Sequence, residues 1–188
     1  MVRHPFRFAL GAWPIVSIIT IGLCALTDFA AKIMGIELPD QQNMDIVLKS
    51  IGWNKRFWLQ LVPMVVVAAP VLEELFFRKL LYSFAAKITL GIVAKFHLPQ
   101  EAADLSDRKK KIVNLAMALI SSALFSAAHY LKQAWPDNAF VALFFFGLAQ
   151  CFVYHKTRSI WSPVLVHSLF NATNLALAAL SVWLGWTL

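Results

Sequence analysis

Ala68-Ala69-Pro70-Val71-Leu72-Glu73-Glu74-Leu75-Phe76-Phe77-Arg78-Lys79-Leu80-Leu81-Tyr82 is the stretch that decides how this chain folds. Two adjacent carboxylates and an arginine interrupt a run otherwise apolar enough to span a membrane. A charge at the centre of a span costs roughly 2.5–3.5 kcal/mol on insertion scales, so charges kept there are functional candidates. Each residue of a helix turns by roughly 100°, which puts Glu74 and Arg78 on one face, close enough to pair. Glu73 points elsewhere, on the face it shares with Phe77. One carboxylate is therefore expected to be neutralised by its partner while its neighbour stays available for chemistry. The plainer alternative is a helix end at the membrane surface, where charges snorkel into water.

Composition agrees with a membrane setting. Of 188 residues, 60% are hydrophobic and 14% charged, with a mean hydropathy of +0.66; a soluble domain is about 45–50% apolar and about 25% charged. The expected fold is all-α, a polytopic membrane helix bundle of about five to six membrane segments. It forms a single domain over residues 1–188. The net charge of +7 would suggest nucleic acid in a soluble protein. Here the basic residues cluster between apolar runs, so topology and anionic lipid headgroups account for them and no nucleic-acid partner is expected. Cys24 and Cys151 both lie inside apolar runs, which predicts buried free thiols.

Working outward from the opening stretch, the segment that contains it begins near Phe57 and carries Pro63 and Pro70. Both prolines are expected to kink the helix or free carbonyls for other bonds. Apolar residues continue to Phe96, and about 38 residues of helix would reach about 57 Å against a hydrocarbon core of about 30 Å. The expectation is a span to Tyr82 followed by a helix sliding into the cytoplasmic interface. Residues 97–111, ending in Arg108-Lys109-Lys110-Lys111, read as a cytoplasmic loop. A third span follows from Ile112 to about Tyr130, with Ser121, Ser122 and Ser126 giving it a small-residue face. After a short turn around Pro136, a fourth span from Ala139 to about Tyr154 has no charge and reads as scaffold. His155-Lys156-Thr157-Arg158 is a second basic turn, and the last span starts at Trp161.

Toward the N-terminus, Arg3, His4 and Arg7 precede an apolar run from Phe8 to Met34 that is too long for a signal-peptide core, so a retained first span is expected. Asp28 near its far end reads as interfacial or helix-pairing. Residues 44–53 could lie on the membrane as a short amphipathic helix. Placing the basic segments inside gives five passes, with the N-terminus cytoplasmic and the C-terminus outside. That arrangement contains a tension. His129 comes late in a span running outward and His167 early in another, so their depths differ by about 10 Å at helical rise.

Three spans thus carry polar groups: Glu73, Glu74 and Arg78; Phe125-x-x-x-His129; and His167-x-x-x-Asn171. A hydrolytic centre needs a base for water, a proton shuttle and donors for the oxyanion, and this set can supply all three. No Ser–His–Asp arrangement competes, and no His-Glu-x-x-His zinc motif is present.

In this order and within apolar spans, Glu73-Glu74-x-x-x-Arg78, Phe125-x-x-x-His129 and His167-x-x-x-Asn171 resemble the CPBP family. Its members are the CAAX-protein and bacteriocin-processing intramembrane endopeptidases, also called the Abi family. The likeness covers about residues 57–180. It implies an endopeptidase cutting a membrane-associated protein or peptide, in which Glu73 and His129 activate water. His167 and Asn171 would then stabilise the oxyanion, and Glu74 with Arg78 would hold the site's geometry. Two features depart from the family pattern: the charged segment 97–111 is longer than expected, and Lys79 stands where a glycine commonly follows the arginine. Glu73, His129 and His167 could alternatively hold Zn²⁺ with a position left open for water; Asn171, a poor zinc ligand and a good donor, favours Glu73 as a metal-free base. The expected partners are membrane lipid and a protein or peptide substrate, and the expected location is a bacterial inner membrane. The rival reading is a non-catalytic transporter or immunity-type factor using the same cluster to bind an ion or peptide; retention of Glu73, His129 and His167 together weighs against it.

Overall fold

In hydrocarbon a chain can satisfy its backbone by folding as helix, and the computed structural model carries five helices long and apolar enough to cross a membrane. It describes residues 2–36, 55–95, 106–129 and 139–184, and among these there is no strand. The amphipathic helix expected over 44–53, the turn around Pro136 and most of the segment 97–111 lie outside the described residues.

Helix α1 is Pro5–Ile33. Proline suits its first turn because no intrahelical N–H is needed there. The helix ends in a Schellman motif: Gly35 takes a φ of +66°, its N–H reaches the Lys32 carbonyl, and the Ile36 N–H reaches Ala31.

Helix α2 runs without interruption over residues 55–95, so no break in the backbone separates the span expected to Tyr82 from the helix expected after it. Two π-helical segments, Met64–Ala68 and Leu75–Phe84, are set into it instead and flank the α-helical turn Ala69–Glu74. Wider i→i−5 turns gain less length per residue, which helps a long helix fit a limited thickness. They also absorb the prolines. The Ala69 N–H bonds the Met64 carbonyl five residues back. The next residue in that register is Pro70, which has no N–H to give to Val65.

Helix α3 is Ser106–His129. The basic run Arg108–Lys111, expected in a loop, forms its first turns, as straight-chain Arg and Lys are good helix formers. Helix α4 is Ala139–Thr157 and helix α5 is Trp161–Leu184.

Helix α4, free of charge as far as Tyr154, is the hub of the bundle, not a bystander: α1, α3, α5 and the second π segment of α2 all pack on it. Its buried face is Ala142, Phe146, Gly147, Gln150, Cys151, Val153 and Thr157. Phe146 and Val153 join Phe77, Phe125, Val166, Ala9 and Val16 in the core. Gly147 permits the closest approach, since a Cβ there would lie 3.0 Å from Cα and Cβ of Ser122 on α3. Ser126 adds a hydroxyl bond across the same pair, donating to the Phe140 carbonyl at 2.7 Å. Large apolar side chains such as Ile18 and Leu59 cover the outside, as a lipid-facing surface requires. Neither Cys24 nor Cys151 forms a disulfide; Cys151 is buried as expected, whereas Cys24 is only part-buried.

Candidate active site

The turn Ala69–Glu74 delivers both carboxylates into the bundle, but to different surroundings. Glu74 and Arg78 are fully buried, with Nε 3.0 Å from Oε2. This is an ion pair by distance without the alignment of a linear hydrogen bond. The second oxygen of Glu74 has its own task, which the sequence did not reveal: Oε1 lies 2.9 Å from Nδ1 of His167. Glu74 therefore bridges an arginine on its own helix and a histidine on α5.

Arg78 is enclosed on its other sides by the packing of α3 and α4. Its Cζ sits 4.5 Å from the centre of the Phe125 ring, a cation–π contact. Nη2 is 3.5 Å from the Gly147 carbonyl. Arg78 can reach that carbonyl because Gly147 brings α4 against α3. Ser121 steadies the same turn by donating to the Phe77 carbonyl at 2.6 Å. Gly147, Ser121 and Phe146 are the site residues that sequence reasoning missed. A single glycine in a charge-free span was the one available signal for the first.

Glu73 occupies the more accessible side, its side chain 29% exposed beside His129 at 36%. Its Oε2 lies 4.0 Å from Nε2 of His129 and 3.7 Å from Nε2 of His167. Both separations exceed hydrogen-bond length, and Oε2 has no hydrogen-bond partner. A bare carboxylate oxygen therefore stands between two imidazoles.

A side-chain turn takes up about half of the depth difference between the two histidines. The imidazole of His129 folds back along α3, with Nδ1 2.8 Å from the Phe125 carbonyl and its ring 4.7 Å from the Phe125 ring. This lowers it by about one helical turn, or about 5 Å. Phe125 also contacts the rings of His167 at 5.9 Å and Phe146 at 5.8 Å, so it is the common wall of the cluster.

Hydrogen bonding assigns the ring nitrogens. A carbonyl only accepts, so Nδ1 of His129 carries the proton that it donates to Phe125. Likewise Nδ1–H of His167 faces the Glu74 carboxylate. In both rings Nε2 is the atom turned toward Glu73. This donor chemistry suits zinc, and the Glu73 separations of 3.7 and 4.0 Å are somewhat wider than ligands of one ion would keep. Ligands of a tetrahedral zinc stand about 3.4 Å apart, given bonds of about 2.0–2.1 Å. Among the described residues no three His, Cys, Asp or Glu side chains form a group that could hold a metal ion.

Asn171 lies one turn beyond His167, and its Nδ2 donates to the Val65 carbonyl at 2.9 Å. That carbonyl is the one Pro70 leaves free in the π register. The carboxamide keeps a second N–H, so binding α2 does not exhaust its donors.

The structure thus links five of the six residues selected from the sequence, Glu73, Glu74 and Arg78 on α2, His129 on α3 and His167 on α5, while Asn171 is tied to α2 at Val65, two turns before Glu73. Comparison with the curated proteins finds no match, and comparison with the solved structures finds none. A family model, type II CAAX prenyl endopeptidase Rce1-like, matches residues 55–173. That segment is well over half of the 188-residue chain and contains the whole cluster from Glu73 to Asn171, so the protein belongs to the Rce1-like family.

Proposed function

We propose that this protein is an intramembrane endopeptidase that hydrolyses a peptide bond near the end of a prenylated, membrane-held protein tail. Family membership supports the reaction class and the tail. The observation that carries the catalytic reading is the bare Oε2 of Glu73, set between two imidazoles and free of any donor.

In this reading Glu73 accepts a proton from water as the oxygen attacks the scissile carbonyl carbon. His129, tethered through Nδ1 to the Phe125 carbonyl, presents Nε2 to relay that proton to the departing amine as the C–N bond breaks. His167 stabilises the oxyanion through Nε2–H, which requires its imidazolium form. The second N–H of Asn171 is the other oxyanion donor. Glu74 and Arg78 position His167 and touch no substrate.

The site would work at the level of the membrane, with the basic end of the bundle on the cytoplasmic side by the distribution of Arg and Lys. The test is to incubate the purified protein in detergent with a farnesylated CAAX peptide and map the products by mass spectrometry, with Glu73→Gln as control. Release of the residues after the prenylated cysteine by wild type alone is expected. Cleavage at the same rate by Glu73→Gln would end the general-base assignment. Inhibition by a chelator, reversed by added zinc, would transfer water activation to a metal held by Glu73, His129 and His167.

A further inference from the structure

The two basic segments at one end of the bundle, far apart in sequence, are joined by the fold. The Val2 N–H donates to the Lys156 carbonyl at 3.3 Å, and Ser162 Oγ donates to the Pro5 carbonyl at 3.4 Å. Phe8 packs on Phe152, with ring centres 6.4 Å apart. Arg3 and His4, at the start of α1, are thereby set beside Lys156 and Arg158 at the end of α4, with all four exposed.

This patch lacks counter-charge. Residues 1–27 and 139–188 contain no Asp or Glu, and among the described residues none of these four side chains forms an ion pair with a carboxylate. Lys156 instead rests its Nζ 5.4 Å from the Phe152 ring. Exposed Phe6 and Trp161 flank the patch, and such aromatic side chains favour the headgroup level of a bilayer.

Arg158 argues for more than a topology signal. It takes a φ of 55°, a left-handed conformation that favours glycine and is strained for a long side chain. The turn is closed by the Arg158 N–H on the Tyr154 carbonyl and by Thr157 Oγ1 on Val153. Neither bond uses the guanidinium. A positive-inside bias asks only for charge on one side of the membrane. It does not ask for an arginine where glycine folds more easily, or for two distant segments to meet.

We propose that Arg3, His4, Lys156 and Arg158 form a binding site for the phosphate headgroup of an anionic phospholipid. The lipid would sit against the α1–α4–α5 corner, its phosphodiester held by the cations and its chains along the apolar outside of α1 and α4.

Native mass spectrometry of the full chain in detergent, titrated with phosphatidylglycerol or phosphatidylcholine, tests this. Phosphatidylglycerol adducts should be retained preferentially, and each cation removed should weaken retention about fivefold. Arg158→Gly is the decisive variant because it relieves the turn. Thermal stability in lipid-free detergent should rise while phosphatidylglycerol retention falls. Lys156→Gln should lower retention without the gain in stability, and Lys109→Gln/Lys110→Gln/Lys111→Gln on α3 should leave the adduct intact. Equal retention of both lipids, or unchanged retention in Arg158→Gly and Lys156→Gln, would overturn the site. Displacement of the lipid by inorganic phosphate or by an acidic peptide at equal concentration would overturn its assignment to a lipid.

Discussion

Glu73 and Glu74 are neighbours in the chain but differ in nearly everything around them. Glu74 is sealed inside, one oxygen on Arg78 and the other on His167. Glu73 is part-exposed, and its Oε2 has no donor. A single residue step on a helix turns the side chain by roughly 100°, enough to move from a buried ion pair to a carboxylate set between two imidazoles. In the proposed mechanism identical chemistry thus splits into a positioning group and a reactive one. The division predicts that losing the outer carboxylate removes activity from a sound fold, whereas losing an inner partner removes the fold.

The largest effect on stability is expected from the inner layer. Arg78→Ala strands Glu74 as a buried charge without its guanidinium, which typically costs about 3–5 kcal/mol. The yield of folded protein and its melting temperature in detergent should both collapse; a variant as stable as wild type would erase the distinction between the layers. Glu73→Gln is the counterpart. Loss of a general base typically costs about 10²–10⁴ in rate, and the melting curve should stay where it was.

Asn171 sits between the two layers and sharpens the comparison. If its free N–H serves the oxyanion, Asn171→Ala should lower kcat by about 10²–10³ with little change in KM. It should also uncover the Val65 carbonyl, a loss of about 1–3 kcal/mol for a buried acceptor. Asn171→Asp should be at least as damaging to turnover, since it can place negative charge where more must form. Turnover of bound substrate at the normal rate in both variants would leave Asn171 as a tie on the π segment alone.

Smaller effects come from the walls. Gly147→Ala puts a methyl 3.0 Å from the Ser122 backbone, and overpacking of this kind costs about 1–3 kcal/mol. It should separate α3 from α4, loosen Arg78 from the Gly147 carbonyl and lower thermal stability before it lowers kcat. Ser121→Ala removes one hydroxyl bond to the Phe77 carbonyl, and interhelical bonds of this kind in membranes average about 0.6 kcal/mol. A shift in melting temperature larger than that of Gly147→Ala would mean that the second π segment, not the α3–α4 contact, holds the site.

Much of this was legible in the chain. Charges within apolar runs are costly enough to mark themselves, so Glu73, Glu74, Arg78, His129, His167 and Asn171 stood out without a structure. The four-residue spacing of Glu74 and Arg78 announced their pair because neighbours on a helix face are a local property. Less legible were the positions whose importance lies in what they lack. Gly147 matters for an absent Cβ and Pro70 for an absent N–H. The stretch of α4 up to Tyr154, which has no charge, looked inert because the face it buries differs from its outside in shape more than in polarity. The two π segments of α2 were hidden for a related reason: a change from i−4 to i−5 bonding leaves little trace in hydropathy.

The sequence by itself determined that this is an all-helical membrane chain with polar and charged residues set into its apolar spans, because transfer energies and helix periodicity act over a few residues at a time. Only the tertiary structure decided which oxygen of Glu74 serves His167, how His129 folds back toward the level of its partner, and which donor answers the Val65 carbonyl. Those choices depend on how deeply one helix sits against another. Helix depth is set by close packing at positions such as Gly147 and Phe125, summed across the whole bundle, and no short stretch of sequence encodes it.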